Sequence, residues 1–146
     1  MDKLDFFTDY NSDGRVFPTR IGLYVRDDNQ FVVIDETGWN GFRECEDVEL
    51  SLHDDFSEAV KAAWLACWGE PLTGRNLEHL ESGKWAVWAF AHRTDECGTR
   101  RDAAYNNLLK AARLFTAKRM GFSEFKRIVR ENSIVPQADS EQAAQD

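Results

Sequence analysis

Between Arg20 and Asp35 the apolar positions settle into period two. Ile21, Leu23 and Val25 share one face and Gly22 and Tyr24 the other; a polar run, Asp27-Asp28-Asn29-Gln30, leads into Phe31-Val32-Val33-Ile34. Two β-branched runs across a short polar turn predict a β-hairpin over residues 20–35. Val48-Glu49-Leu50-Ser51-Leu52 alternates in the same way and predicts a half-buried strand near 47–52. From Lys84 to Ala91 the chain reads KWAVWAFA, apolar at both parities. Eight residues of this kind behind Gly83 predict a central strand near 84–91, covered on both faces.

Elsewhere the period lengthens. Phe56, Val60, Ala63 and Cys67 recur at steps of four and three, with Trp64 beside them, and predict a helix near 55–68. Asp54 or Asp55 opens it, and Asp55 with Glu58 has the capping-box spacing; Gly69 and Pro71 close it. Residues 70–83 read as loop, with one helical turn at Asn76–Leu80. Ala104, Leu108, Ala111 and Phe115, widened by Tyr105 and Ala112, predict a helix near 100–119 with Thr99 as its cap. Gly121 should stop that helix and Ser123 cap another near 123–132, with Phe125, Ile128 and Val129 facing inward. At the N-terminus Leu4, Phe6 and Phe7 suit a short helix or strand packed on the body. The order of elements predicts an α+β fold with a mainly antiparallel sheet, one domain over residues 1–135 and a disordered acidic tail over 136–146.

Composition adds a core and a charge pattern. Of 146 residues, 42% are hydrophobic, with ten Phe and five Trp, enough for a folded domain. The net charge is −8, but it is unevenly placed. Residues 93–130 hold ten Lys and Arg against four Asp and Glu, whereas residues 1–92 hold eight against eighteen. Net negative charge repels nucleic acid and anionic lipid at long range. No run reaches the ~18 apolar residues of a membrane span. MDKLDFF lacks the layout of a signal peptide, and the three widely spaced cysteines suit reduced thiols; the expectation is a cytoplasmic protein away from membranes.

The candidate chemistry is sparse. Arg100 and Arg101 fall in the first turn of a helix, where the dipole disfavours cations by roughly 0.3–1 kcal/mol each. With Lys110, Arg113, Lys126 and Arg130 they form the candidate basic surface, and the competing reading is an ordinary solvated face. Ala117, Gly121 and Ser123 stand at a spacing that resembles the turn of a helix-turn-helix. The resemblance stops at Arg127, which occupies a position that motif buries. Asp9, Asn11, Asp13 and Gly14 resemble the first half of an EF-hand loop. Arg20 and Phe17 occupy two later ligand positions, so an Asx-rich turn is the preferred reading and no metal is expected.

Cys97, close before a helix start and near Arg100 and Arg101, has the surroundings of an activated thiol, and His92 is the nearest base. No motif joins the two, so no catalytic residue and no cofactor are assigned. Cys45, His53 and His79 stand apart, and Cys67 lies on an apolar stripe. Trp39, between Gly38 and Gly41, is a candidate interface anchor. Asp27, Asp28, Asp35, Glu36, Glu46, Asp47, Asp54 and Asp55 make a candidate acidic surface. Spread carboxylates mostly confer solubility; a row of them also imitates nucleic acid.

These observations favour a small, non-catalytic interaction protein. It would bind or inhibit a protein or protein–nucleic-acid complex through charged surfaces. In composition it is similar to the acidic accessory proteins that phages and mobile elements direct against nucleic-acid-handling complexes, an analogy carried by no motif. The alternatives are a nucleic-acid-binding module using the basic helices and an enzyme using Cys97 and His92.

Overall fold

The structure is a computed structural model that describes residues 1–4, 6, 16–18, 20–36, 47–91 and 99–132, with the backbone alone for 99–102. Among these residues four antiparallel strands lie in the order β1-β2-β3-β4: β1 is Asp2–Leu4, β2 Ile21–Val25, β3 Phe31–Asp35 and β4 Val48–His53. Five helices follow: α1 Phe56–Trp68, α2 Gly74–Glu81, α3 Lys84–Phe90, α4 Thr99–Thr116 and α5 Phe122–Glu131. The α+β class, the hairpin and the helices near 55–68, 100–119 and 123–132 are as expected.

The hairpin closes through Arg26–Gln30. Asn29 takes a left-handed conformation (φ 68°), and its amide donates to the Arg26 carbonyl. Asparagine tolerates that region because its short side chain bonds locally. Asp55 caps α1 as the spacing implies: its carboxylate accepts from the Glu58 amide at 2.9 Å, satisfying a donor that the first helical turn leaves unpaired.

The expected central strand near 84–91 is instead a helix, Lys84–Phe90, with Ala91 extended at its end. Trp85, Ala86 and Val87 are buried, and α3 is inserted between α2 and α4 instead of entering the sheet. The apolar residues at both parities were a true sign of burial on all sides, but a helix layer supplies that burial equally well. A short helix also satisfies its own backbone with no neighbouring strand. The local device is Gly83, in the left-handed region at φ +88°, whose amide closes α2 onto Leu80 and whose carbonyl accepts the first bond of α3 from Val87. The single turn expected at 76–80 extends to the two-turn α2.

Two helix ends also differ. α4 stops at Thr116, before Gly121, because Lys118 adopts φ +65° and the Arg119 amide turns back to the Leu114 carbonyl. Gly121 instead precedes α5 in extended conformation, so Ser123 lies inside that helix and caps nothing.

The core lies between the sheet and the helices. Leu23, Phe31 and Val33 from the sheet meet Phe56, Val60 and Ala63 of α1, and Leu108, Ala112, Phe115 and Phe125 complete it from α4 and α5. Much of its specificity is aromatic. Phe115 stacks on Phe125 with ring centres 4.5 Å apart, Phe31 meets Phe122 at 5.2 Å, and Trp64 stacks on Trp85 at 6.0 Å. Cys67 packs half-buried against this core, and His79 is buried beside Trp85 and Trp88.

Candidate interaction surface

The basic helices fold partly back onto the acidic half of the molecule. Lys126, expected on the solvent face, is half-buried: its Nζ donates to Asn29 Oδ1 at 2.9 Å and stands 4.7 Å from the centre of the Phe122 ring. Lys118 reaches the Asp55 carboxylate at 3.8 Å. Arg127 is gripped between Glu124 at 2.9 Å and Glu131 at 2.6 Å, and these bonds raise its already high pKa further.

The remaining cations are divided. Arg100 and Arg101 lie in the first turn of α4, where the sequence put them. Lys110, Arg113 and Arg130 are exposed, and none has an ion-pair partner among the described residues. Arg113 stands on the flank of α4 against which the start of α3 packs. Asn107, six residues earlier and about 240° around the helix, bonds to Asn132 just past α5. Lys110 and Arg113, three residues apart, are neighbours on α4, and Arg130 lies on α5.

The acidic residues gather at the two ends of the sheet. At the hairpin end, Asp28 pairs with Arg26 at 3.6 Å, Asp27 is exposed, and Asp54 accepts from Gln30 Nε2 at 2.7 Å. At the other end, Asp35 pairs with Arg20 at 3.0 Å, and Glu36 with Lys3 at 3.1 Å. Glu36 also accepts a hydrogen bond from the Tyr24 hydroxyl. Gly22 permits that contact, because a Cβ there would lie 2.8 Å from the Tyr24 ring and 2.9 Å from Glu36. Burial, the bond to Glu36 and the charges of Glu36 and Asp47 push the Tyr24 pKa up to about 12.

Along β4, carboxylates and apolar side chains combine. Asp47, Glu49 and Asp54 are exposed and have no cationic partner among the described residues. Between them Val48, Leu50 and Leu52 are 51%, 46% and 44% exposed. The alternation predicted these apolar residues on a half-buried face, and the structure turns them out. The register sets this: Ser51 opposes Val33 and takes a core-side row, which puts Leu52 on the other face, while Glu49 opposes Ile34 and leaves Leu50 as an extra residue. A bulge of this kind shifts the faces of the strand. Leu52 shares a register row with Val32 on the face away from the core cluster, whereas Val48 shares one with Asp35 and Ile21. Ser51 and His53, bonded to each other at 2.8 Å, take the half-buried positions.

Sequence reasoning missed this strip because its period-two pattern reads as an inward face. The available signal was the acidic residue at each end and in the middle of a short apolar strand, at Asp47, Glu49 and Asp54. Trp39, Glu46, Cys45, His92, Cys97, the Asp9–Gly14 cluster and the tail 136–146 lie outside the described residues. Among the described residues no group of three or more His, Cys, Asp and Glu is placed to hold a metal ion, and no helix is long and apolar enough to cross a membrane. Compared with protein-family models, curated proteins and solved structures, the chain matches none.

Proposed function

We propose that this chain is a non-catalytic interaction protein that binds, and thereby inhibits or recruits, a macromolecular partner through an acidic, partly apolar face. The observation that carries the reading is the β4 strip, where Val48, Leu50 and Leu52 stand exposed among Asp47, Glu49 and Asp54, which have no cationic partner among the described residues. Exposed apolar side chains rimmed by like charge suit an interface in which burial supplies affinity and charge supplies orientation and on-rate. The complementary surface is basic and apolar, the kind that nucleic-acid-handling proteins present. Affinity capture from the native host tests the reading, using the wild-type chain and a Leu50→Lys, Leu52→Lys variant in parallel. The expected outcome is a basic partner that elutes with salt and is lost with the variant. A captured set indifferent to both salt and substitution would sink the proposal.

A second reading, a nucleic-acid-binding module, is favoured by Lys110, Arg113 and Arg130, which are exposed and have no ion-pair partner among the described residues. Counterion release makes such binding steeply salt-dependent. Fluorescence anisotropy with labelled DNA and RNA would then show binding that strengthens at low salt and disappears in Lys110→Glu with Arg130→Glu. Salt-independent or absent binding removes this reading.

A further inference from the structure

We infer that the open edge of β4 takes up a lysine- or arginine-rich, alternately apolar segment of a protein partner as a fifth strand of the sheet. The inference rests on the reading of the chain as an interaction protein and names how and what it binds. β4 ends the strand order and pairs only with β3 among the described residues, so one row of its backbone N–H and C=O groups is left without a strand. Proteins guard such an edge with charge (lysine above all), proline or a bulge, and of these β4 has its carboxylates and the bulge at Leu50. Residues 47–55 contain neither lysine nor proline. Leu50 and Leu52 instead stand exposed beside the edge, with the buried Val32 next to Leu52 in register. Backbone pairing at such an edge supplies affinity, and alternate side chains supply specificity. Six residues of strand span about 20 Å, enough for a segment of five or six residues.

Charge selects the occupant. Asp47, Glu49 and Asp54 bracket and interrupt the apolar positions and lack cationic partners among the described residues. A second copy of β4 is the wrong partner. Antiparallel self-pairing that sets Val48 against His53 also sets Asp47 against Asp54 at both ends, and parallel pairing in register sets each carboxylate near its own copy. Like charges opposite one another destabilise strand pairs. A strand with lysine or arginine at alternate positions meets these carboxylates on the face that Glu49 shares with Leu52, and the aliphatic stems of those side chains cover Leu52.

The test uses the full chain and three synthetic eight-residue peptides. One alternates valine with lysine, the second is the same peptide N-methylated at every second peptide bond, and the third carries glutamate for lysine. Binding is read from amide chemical shifts, and pairing from hydrogen exchange of residues 48–53. The lysine peptide should bind in low salt and slow exchange at alternate β4 amides. The N-methylated and glutamate peptides, and the Leu50→Lys, Leu52→Lys variant, should each weaken binding at least tenfold. The variant's own spectrum, read away from β4, reports that it is folded.

Equal binding of the N-methylated peptide would overturn the inference in favour of side-chain contact alone. Self-association of the free chain with β4 amides protected would overturn it in favour of a second copy. No binding of the lysine peptide would also overturn it, and if the same variant still lost a partner captured from the host, the broader interaction reading would survive. Capture indifferent to the variant, with peptide binding intact, would instead remove the broader reading.

Discussion

Tyr24 holds its proton to about pH 12 because ionising it would place a second negative charge against Glu36 and near Asp47 in a partly dehydrated setting. Its unfolded value is near 10. The folded pKa is the higher of the two, so the stabilising effect of the neutral form is fully present below pH 10. It is lost as pH rises from there through about 12. Equilibrium denaturation across that range should show stability falling with pH, and Tyr24→Phe should flatten this part of the curve. The tyrosinate absorbance of the variant should also lack the component that titrates near pH 12. Gly22→Ala should move that component downward, since a methyl group there displaces the Tyr24–Glu36 contact. Tyr24 and Glu36 are 12 residues apart, and no local pattern joins them. The hairpin register brings them together over a glycine.

Helix starts and stops depend on a few positions, some legible in the sequence and some not. Asp55 was legible, because a capping carboxylate and its target amide lie within one turn. Asp55→Ala should lower stability by about 1 kcal/mol in chemical denaturation, typical of a lost N-cap, with part of the loss screened by salt through the Lys118 pair. Gly83 is the stricter case. Its φ of +88° disfavours any side chain, and a Cβ would stand 2.7 Å from the Arg113 backbone nitrogen and 2.9 Å from Ala112. That neighbour is helix backbone and cannot swing aside. Gly83→Ala should therefore cost about 2–4 kcal/mol, combining left-handed strain with overpacking of the α3–α4 contact. A loss below about 1 kcal/mol in denaturant titration, less than left-handed strain alone costs, would refute that account. The sequence marked Gly83 as a boundary but not the kind of element beyond it.

Across the whole molecule, the aromatic core joins the C-terminal helices to the sheet. Phe125 is fully buried, stacks on Phe115 at 4.5 Å and lies one turn from Phe122, which meets Phe31. Phe125→Ala should destabilise the protein by about 3–5 kcal/mol, measured as a shift in denaturation midpoint. The charge split seen in the sequence is blunted at this scale. Lys118 and Lys126 cross to Asp55 and Asn29, while Lys110 and Arg113 stay exposed as neighbours on α4 and Arg130 stays exposed on α5. Among the described residues Asp47, Glu49 and Asp54 along β4 have no cationic partner, and neither has Asp27 at the hairpin end.

By itself the sequence determined those features whose cause is local. The hairpin follows from period two across a polar turn, α1 from its apolar stripe and its cap, and α4 and α5 from their apolar stripes. Tertiary structure decided which neighbour each apolar face would meet. Residues 84–91 became a helix because α2 and α4 enclose them, and burial on every side is a demand that helix and strand both meet. Leu52 came to the surface because the register gives the core-side rows to Ser51 and His53, a one-residue irregularity left Leu50 as an extra residue, and alternation does not record which side of a sheet is covered. Lys126 left solvent because the hairpin turn lies within its reach. Periodicity reports that a face is apolar; only the packed chain decides whether that face is core or an edge left open to a partner.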